Sequence, residues 1–370
     1  MVIEQLLEFE KRLVGKRILV TGHTGFIGSW CCLWLSQIGA DVYGVALPPA
    51  TNPSLFSELR LAEHLHSEYH DICNYQELLH LFEKVQPELV LHLAAQPLVR
   101  FSYAHPLDTF QTNTMGTAYV LEAIRNTSSV KAVVCMTTDK VYKNNNQPWS
   151  YRENDILGGS DPYSASKAAA EMVIDSYRYF YGHSSDHRNL GVATIRGGNI
   201  IGGGDWAPDR LVPDFVRAVI SNQTLKLRYP EATRPWQHVL ALAQGCLMVL
   251  ARLLENPARY SQAWNLGPSD MQAFSVRNIL EILSQSWVAP KIEYATDALP
   301  EAKMLGLDST LARNELEWLH VWNTQEAILK TAEWYKEFYK QELPVKELTL
   351  LQLLEWRSGL QLLLDNKGQE

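Results

Sequence analysis

At 370 residues, with 46% apolar and 20% charged side chains, the chain is long enough for a large core, as one domain or as two closely packed lobes. Its net charge of −8 argues against nonspecific nucleic-acid binding, so an anionic small molecule has to be met by local arginines. The eleven histidines show no ligand-type spacing and predict no metal, and the five cysteines form no C-x-x-C pair or disulfide framework, which fits a reducing cytoplasm.

The opening Met1-Val-Ile-Glu-Gln does not read as a signal peptide, and no apolar run reaches membrane-spanning length, so no membrane association is expected. Strand and helix patterns then alternate from residue 16 to about 197, the signature of an α/β, doubly wound parallel (Rossmann) sheet. Lys16 to Thr21 is a short β-rich run, and Gly22-His-Thr-Gly25-Phe-Ile-Gly28 follows it directly, ahead of a helix over 26–38 that stops at Gly39. Strand, glycine turn and helix is the context of a dinucleotide site, here spaced G-x-x-G-x-x-G. Glycines allow a tight turn and bring backbone N–H groups close to a pyrophosphate at the helix N-terminus. Gly22, Thr24, Gly25, Phe26, Ile27 and Gly28 are the candidate contacts.

A strand follows over 41–46. Asp41 has roughly the sequence spacing of a ribose-binding carboxylate but begins the strand, whereas that carboxylate belongs at the strand's other end. Ala46 and Leu47 stand there instead, offering neither an acid for a 2′-hydroxyl nor an arginine for a 2′-phosphate, so the residues leave NAD and NADP both open. After a third strand near 67–70, Asp71 and Ile72 are placed to meet the adenine, with an N-cap role for Asp71 as the equal alternative. A helix over 74–85 leads to a buried strand at 89–93, running into the small-residue turn Leu93-Ala94-Ala95, which suits close approach of a cofactor. A single helix is predicted over 107–125.

Lys131 to Met136 reads as a buried parallel strand, which places Thr137-Thr-Asp-Lys140 at its carboxyl end, where open α/β sheets bind ligands. Within the next predicted helix, 162–181, Tyr163 and Lys167 are four apart and share a face. A nearby ammonium favours phenolate and lowers the tyrosine pKa from its reference of about 10, which predicts Tyr163 as a base. A further strand is predicted over 192–196.

After residue 198 the pattern changes. Asn199-Ile-Ile-Gly-Gly-Gly-Asp-Trp206 is glycine-rich but framed by no strand–helix pair, and Pro, Arg and Trp become frequent through Trp236. The organisation expected is a dinucleotide-binding domain over 1–197, with 236–267 returning to it as helix plus strand. Residues 198–370 then make mainly a smaller C-terminal substrate-binding lobe, built from 198–235 and 269–325, and a packed helical tail from Glu347 to Leu364. Arg234 and Arg210 are the candidate phosphate-binding cations, because a guanidinium fork suits phosphate oxygens. Asn199 is a candidate to hydrogen-bond the phosphates or the sugar. Lys226 and Arg228 alternate on a predicted strand and read equally well as solvated.

These motifs resemble the extended short-chain dehydrogenase/reductase superfamily and, within it, the CDP-glucose 4,6-dehydratase family. The resemblance runs across almost the whole chain. It is carried by Gly22-His-Thr-Gly-Phe26, Ala46-Leu-Pro-Pro-Ala-Thr-Asn-Pro-Ser-Leu-Phe56, His92-Leu-Ala-Ala-Gln-Pro-Leu-Val-Arg100 and Thr138-Asp-Lys140. It continues through Gly158-Gly-Ser-Asp-Pro-Tyr-Ser-Ala-Ser-Lys167, Gly198 to Trp206 and Thr233-Arg-Pro-Trp-Gln-His-Val239. Asp-Lys after the strand is diagnostic, since the dTDP-glucose dehydratases carry Asp-Glu there. Two positions depart from the family pattern: Ile27 stands where lysine is frequent, and Ala241 where glutamate is frequent.

The resemblance implies NAD as cofactor, CDP-glucose as substrate, a homodimer, and a place in deoxysugar biosynthesis for cell-envelope polysaccharide. It also implies an internal redox reaction. Tyr163, assisted by Thr138 and Lys167, removes the C4 hydroxyl proton during oxidation, Asp139 protonates the departing C6 oxygen, and Lys140 is the candidate C5 base. A sugar-nucleotide 4-epimerase would share Tyr163 and Lys167 without needing Asp139-Lys140. A noncatalytic nucleotide-sensing scaffold would be expected to lose the Tyr-Lys pair.

Overall fold

Ile18, Val20, Leu91 and Val134 pack into one apolar core, while their neighbours Leu19, Val90 and Val133 pack into a second. Successive strand residues point to opposite faces, so runs that are apolar at every position require both faces of the sheet to be covered. Each fully buried Val or Leu contributes about 1.5–3 kcal/mol. The computed structural model, which describes residues 6–183, 189–269, 274–294 and 302–367, shows this arrangement. Seven parallel strands form its central sheet: β1 (Arg17–Thr21), β2 (Asp41–Ala46), β3 (His66–Tyr69), β4 (Leu89–His92), β5 (Ala132–Met136), β6 (Gly191–Gly197) and β7 (Ala263–Leu266). Their spatial order is β7-β6-β5-β4-β1-β2-β3. The main helices are α1 (Phe26–Gln37), α2 (Tyr75–Val85), α3 (Thr117–Arg125), α4 (Pro162–His183), α5 (Val239–Glu255), α6 (Thr324–Lys340) and α7 (Val345–Lys367). The first core takes side chains from α1, α5, α6 and α7, and the second from α2, α3 and α4.

The chain leaves β1 toward β2 and β3 on one side and returns through β4 on the other. That reversal opens a crevice at the carboxyl ends of β1 and β4, the usual ligand position in such sheets. Thr21 and His92 close the two strands there, Oγ1 to Nδ1 at 2.7 Å. Thr21 Oγ1 also accepts the amides of Leu93 and Ala94, each at 3.1 Å, so its own proton points to His92. Burial drives the His92 pKa down to about 3, helped by the Lys167 charge, and keeps the ring neutral. Its Nε2–H therefore donates to Thr117 Oγ1 at 3.0 Å, and Thr117 donates in turn to the Asn113 carbonyl at 2.7 Å.

The single helix expected over 107–125 is three pieces: Pro106–Phe110, a π-helical segment Gln111–Gly116, and α3. The wider turn gives Asn113 and Thr114 their aim. Asn113 Nδ2 donates to Ser166 Oγ at 2.9 Å and Thr114 Oγ1 to the Ser166 carbonyl at 2.9 Å, both on α4. π-Bulges occur often at functional sites, and amphipathic periodicity does not reveal them. Gly116 sits in this segment because a Cβ there would lie 2.7 Å from Ile72 Cδ1.

Beyond β6 lie a helix at Leu211–Ile220 and two-stranded pairs, among them Thr233–Arg234 against Phe274–Ser275 and Leu225–Leu227 beside Ile292–Tyr294. Of the 269–325 segment, residues 270–273 and 295–301 lie outside the described residues. Helix α7 packs on the first core through Leu348, Leu353 and Trp356, and Arg357 reaches Glu10 near the other end of the chain at 2.7 and 2.6 Å. Trp34 Nε1 donates to the same carboxylate at 2.6 Å, so the buried Glu10 is fully engaged.

Candidate active site

The glycine turn after β1 leaves no room for side chains. Gly22 has φ +75°, and a Cβ on it would lie 2.7 Å from the Ala94 nitrogen; on Gly28, Cβ would lie 2.1 Å from the Gly22 carbonyl oxygen. Gly25 forms the N-cap of α1 without a side-chain cap, which leaves first-turn amides for an anion. Thr24 is turned away, its Oγ1 donating to the Leu47 carbonyl at 2.8 Å. These residues fit a dinucleotide pyrophosphate.

Asp71 and Ile72 follow the carboxyl end of β3, the edge strand next to β2. Asp71 is exposed and its Oδ1 accepts the Cys73 amide at 2.9 Å, while the cap of α2 is Asn74; the N-cap alternative for Asp71 is corrected. Ile72 is buried against Gly116. Asp41 faces His66 at 3.5 Å at the start of β2, on the far side of the sheet from the crevice.

A cavity of about 830 Å³ opens above the carboxyl ends of the strands. It brings together Phe26, Ile27, Leu93 and Ala95 with Thr138, Asp139, Lys140, Tyr163, Lys167, Asn199, Arg210 and Arg234. At the end of β5 the backbone of Thr138 is extended, and its hydroxyl starts a tight turn, Asp139–Val141. Asp139 is fully buried, and Oδ1 accepts both Thr138 Oγ1 at 2.9 Å and Lys140 Nζ at 3.0 Å. Oδ2 has no hydrogen-bond partner among the described residues. A buried carboxylate oxygen without a donor is costly unless something polar completes it.

Tyr163 is buried within the first turn of α4, and its amide donates to Ser102 Oγ at 3.1 Å. Burial pushes the phenol pKa up to about 12; the Thr138 hydroxyl and Arg210 charge oppose this and the Asp139 carboxylate adds to it. This reverses the direction expected from the Tyr163–Lys167 spacing. Lys167 shares the helix face, but its Nζ donates to the Met136 carbonyl at 3.1 Å, and burial brings its pKa down to about 8. Desolvation of the phenol outweighs the neighbouring cation, and the cation acting on Tyr163 is Arg210.

One turn beyond Lys167, Glu171 makes a two-pronged ion pair with Arg196 of β6, Nε–Oε1 3.0 Å and Nη2–Oε2 2.9 Å. Glu171 also accepts the hydroxyls of Thr137 and Thr194. Arg196 continues to Tyr142 Oη at 2.9 Å and the Glu153 carbonyl at 2.7 Å. Removing one partner of such a buried pair costs about 3–5 kcal/mol, so this network clamps α4 to the ends of β5 and β6. Ser102, Asn113, Ser166, Glu171 and Arg196 are site-building residues that the sequence reading did not single out. Only Glu171, four residues after Lys167, carried a spacing signal.

On the opposite wall, Arg210 Nη1 is 2.8 Å from Asp205 Oδ2, and Asp205 is held by a loop with no slack. A Cβ on Gly203 would lie 2.0 Å from Trp334, the Trp30 indole donates to the Gly203 carbonyl at 3.0 Å, and the Asp205 amide donates to Tyr335 Oη at 3.0 Å. This explains the glycines of the 198–206 segment. Arg234 is buried, with Nη1 on the Thr233 carbonyl at 2.8 Å. Asn199 Oδ1 is buried without a hydrogen-bond partner among the described residues. Ala241 is buried inside α5, its carbonyl accepting the Trp318 indole at 3.0 Å. No group of three His, Cys, Asp or Glu among the described residues is arranged to hold a metal ion, and no helix among them is long and apolar enough to cross a membrane.

Known proteins share this architecture. The structure of Pal from Bacillus thuringiensis superposes with a TM-score of 0.75 at 27% identity, covering 87% of this chain and 99% of that one. The dTDP-glucose 4,6-dehydratase of Bacillus anthracis, solved in complex with NAD, has a TM-score of 0.73 at 23% identity, covering 90% and 99%. A CDP-glucose 4,6-dehydratase of Salmonella typhimurium is 42% identical over 332 residues, 89% of this chain and 92% of that protein. Residues 19–331, from inside β1 to the middle of α6, match the family described as GDP-mannose 4,6 dehydratase, so the glycine turn, the Asp139-Lys140 turn and the Tyr163–Lys167 helix all lie within the match and the chain belongs to that family.

Proposed function

We propose that the protein is a sugar-nucleotide 4,6-dehydratase that converts CDP-D-glucose to CDP-4-dehydro-6-deoxy-D-glucose, with NAD as its cofactor. The observation that carries this reading is the buried Asp139 paired with the half-buried Lys140 beside Tyr163, with Asp139 Oδ2 lacking a partner among the described residues. A 4-epimerase has no step that requires such a pair. The 42% identity to a CDP-glucose 4,6-dehydratase supports the choice of nucleotide, and the NAD complex of a related fold supports the choice of cofactor.

Gly22, Gly25 and Gly28 hold the NAD pyrophosphate at α1, while Phe26, Ile27, Leu93 and Ala95 line its path into the cavity. Bound NAD supplies a reversible two-electron acceptor in its nicotinamide ring. Tyr163 Oη takes the C4 hydroxyl proton and Thr138 Oγ1 orients the same oxygen. The 3.0 Å contact between Lys140 Nζ and Asp139 Oδ1 lets one proton pass between them. Lys140 Nζ then removes the C5 proton, made acidic by the C4 ketone, and Asp139 protonates the C6 oxygen as it leaves as water. Lys140 later returns its proton to C5. The proton left on Tyr163 balances the one Asp139 gave up, so the net change is loss of one water. Arg234, Arg210 and Asn199 hold the substrate's diphosphate and sugar.

We assign residues 1–197 with 236–267 to cofactor binding and 198–370 mainly to the substrate lobe. We also propose a cytoplasmic homodimer that serves deoxysugar biosynthesis for cell-envelope polysaccharide. Exposed Met172, Tyr179 and Phe180 on α4, beside exposed Leu107 and Met115, offer an apolar face to a second copy, and the five free thiols suit a reducing compartment.

Incubation with CDP-, dTDP-, UDP- and GDP-glucose followed by mass analysis tests the reaction. Loss of one water from CDP-glucose is expected, and an alcohol of unchanged mass would overturn the assignment. Arg234→Ala should raise KM with little change in kcat, by roughly tenfold to a hundredfold for the about 1.5–3 kcal/mol of a charge-assisted hydrogen bond. A fall confined to kcat would move Arg234 into the chemistry. Gly28→Ala should weaken NAD binding, measured by calorimetry, because its Cβ forces the turn open at a strain of about 1–3 kcal/mol. Unaltered NAD affinity would show that the turn does not hold the cofactor.

A further inference from the structure

Two arginines on the cavity wall, remote from each other in sequence, converge on one oxygen. Arg100 lies in the short helix Val99–Ala104 that follows the β4 turn, and its Nη1 is 2.8 Å from Asp209 Oδ1. Arg228 follows the strand Leu225–Leu227, and its Nη1 is 3.8 Å from the same Oδ1. All three residues line the cavity that holds Tyr163 and Asp139. We propose that Asp209 is an internal stand-in for the substrate's diphosphate: it holds Arg100 and Arg228 in the free enzyme, and the diphosphate takes both guanidinium groups from it. The proposal rests on the sugar-nucleotide reading above and adds Arg100 and Arg228 to the residues that bind the substrate.

Charge and geometry support the exchange. Two guanidinium groups sharing one carboxylate oxygen leave most of their donors unused, whereas a diphosphate offers several oxygens and more negative charge, spread over a length that two forks can span. The Asp209 pairs are partly exposed, with 51% exposure for the Arg100 side chain and 38% for Asp209. Exposed ion pairs contribute little to stability, so they open easily. The neighbouring Arg210–Asp205 pair is different. Asp205 has only 6% side-chain exposure and is fixed by the Tyr335 contact, so that arginine stays in place while its neighbours exchange.

The backbone adds a second argument. Asp209 has φ +62°, a left-handed conformation uncommon for a side chain larger than glycine and best tolerated by Asn and Asp. The loop thus presents the carboxylate by a local twist, in a segment that bridges the Asp205 anchor and the helix Leu211–Ile220. Asn at this position keeps the twist and removes only the charge. Diphosphate binding in this scheme draws the Arg100 and Arg228 segments onto the substrate and frees the Asp209 loop at the cavity wall.

Asp209→Asn should therefore lower KM for CDP-glucose and Kd for CDP, the latter read by calorimetry without turnover. The expected gain is roughly two- to fivefold, the range an exposed ion pair allows, and it should shrink at high ionic strength. The gain should vanish in an Arg100→Gln, Arg228→Gln background. Glu315→Gln is the control: Glu315 makes a comparable exposed pair with Arg259, and neither residue lines the cavity, so CDP affinity should stay the same. Unchanged CDP binding in Asp209→Asn, an equal gain in Glu315→Gln, or a gain that survives loss of both arginines overturns the proposal. If CDP binds more tightly to Asp209→Asn while the unaltered protein releases no water from CDP-glucose, the exchange stands and the dehydratase reading falls.

Discussion

Replacing Tyr163 with phenylalanine should lower kcat for the 4-keto-6-deoxy product by about 10²–10⁴-fold, the usual worth of a positioned proton acceptor. The change removes one hydroxyl whose partner is Thr138, so stability should fall by only about 1 kcal/mol, the usual size of one hydrogen bond. Burial holds the phenol pKa near 12 in the free protein, with Thr138 and Arg210 pulling it down and Asp139 pushing it up. The active form is the phenolate, so activity of the unaltered enzyme should rise with pH through the neutral and alkaline range toward about 12, and this limb should disappear in Tyr163→Phe. Wild-type turnover in the variant, or an identical pH limb, would remove Tyr163 from the C4 proton transfer.

Asp139→Asn should separate oxidation from dehydration. The amide keeps the size of the carboxyl and an oxygen for the Thr138 and Lys140 contacts, but it has no transferable acid proton. Oxidation at C4 would use Tyr163, Thr138 and Lys167 with NAD as the electron acceptor, and it does not need the Asp139 proton. The variant should therefore accumulate a CDP-linked 4-keto-hexose that has lost two hydrogens and no water, with dehydration slower by about 10²–10⁴-fold. Quenched single-turnover samples analysed by mass distinguish that species from substrate and product. Dehydration at the wild-type rate would pass the acid role to another group, and failure to form the ketone would mean that Asp139 positions the sugar for the earlier step. Asp139 Oδ2, buried and without a partner among the described residues, is the atom expected to meet the C6 oxygen.

Much of this protein was legible in the chain itself, because the relevant signals are local. Apolar runs such as Leu89 to Leu91 are buried on both faces wherever they occur, so they announce a parallel sheet without knowledge of strand order. Gly22 and Gly28 mark a turn that cannot accommodate a Cβ, and Tyr163 and Lys167 share a face by helix geometry alone. Placing Asp139 at the end of a buried strand was enough to put it in the crevice. The electrostatics were another matter. Spacing brings Lys167 near Tyr163, but the direction of the tyrosine's pKa depends on how deeply it is buried and on Arg210, which reaches the site from another segment. The Lys167 ammonium is spent on the Met136 carbonyl, a contact made only when β5 and α4 have docked.

The π-helical segment at Gln111–Gly116 was likewise hidden, since an extra residue in a helical turn leaves the apolar periodicity almost intact and is stabilised by partners on α4. The Glu171–Arg196 clamp and the Asp209 meeting point of Arg100 and Arg228 join side chains far apart along the chain. Sequence by itself determined the strands, the glycine turn and the placement of Thr138, Asp139 and Tyr163 at the strand ends, because backbone geometry and hydrophobic burial act over a few residues. Tertiary structure decided which charges face one another and which protons are free to move, because desolvation and Coulomb interactions depend on distances that exist only after the sheet is assembled.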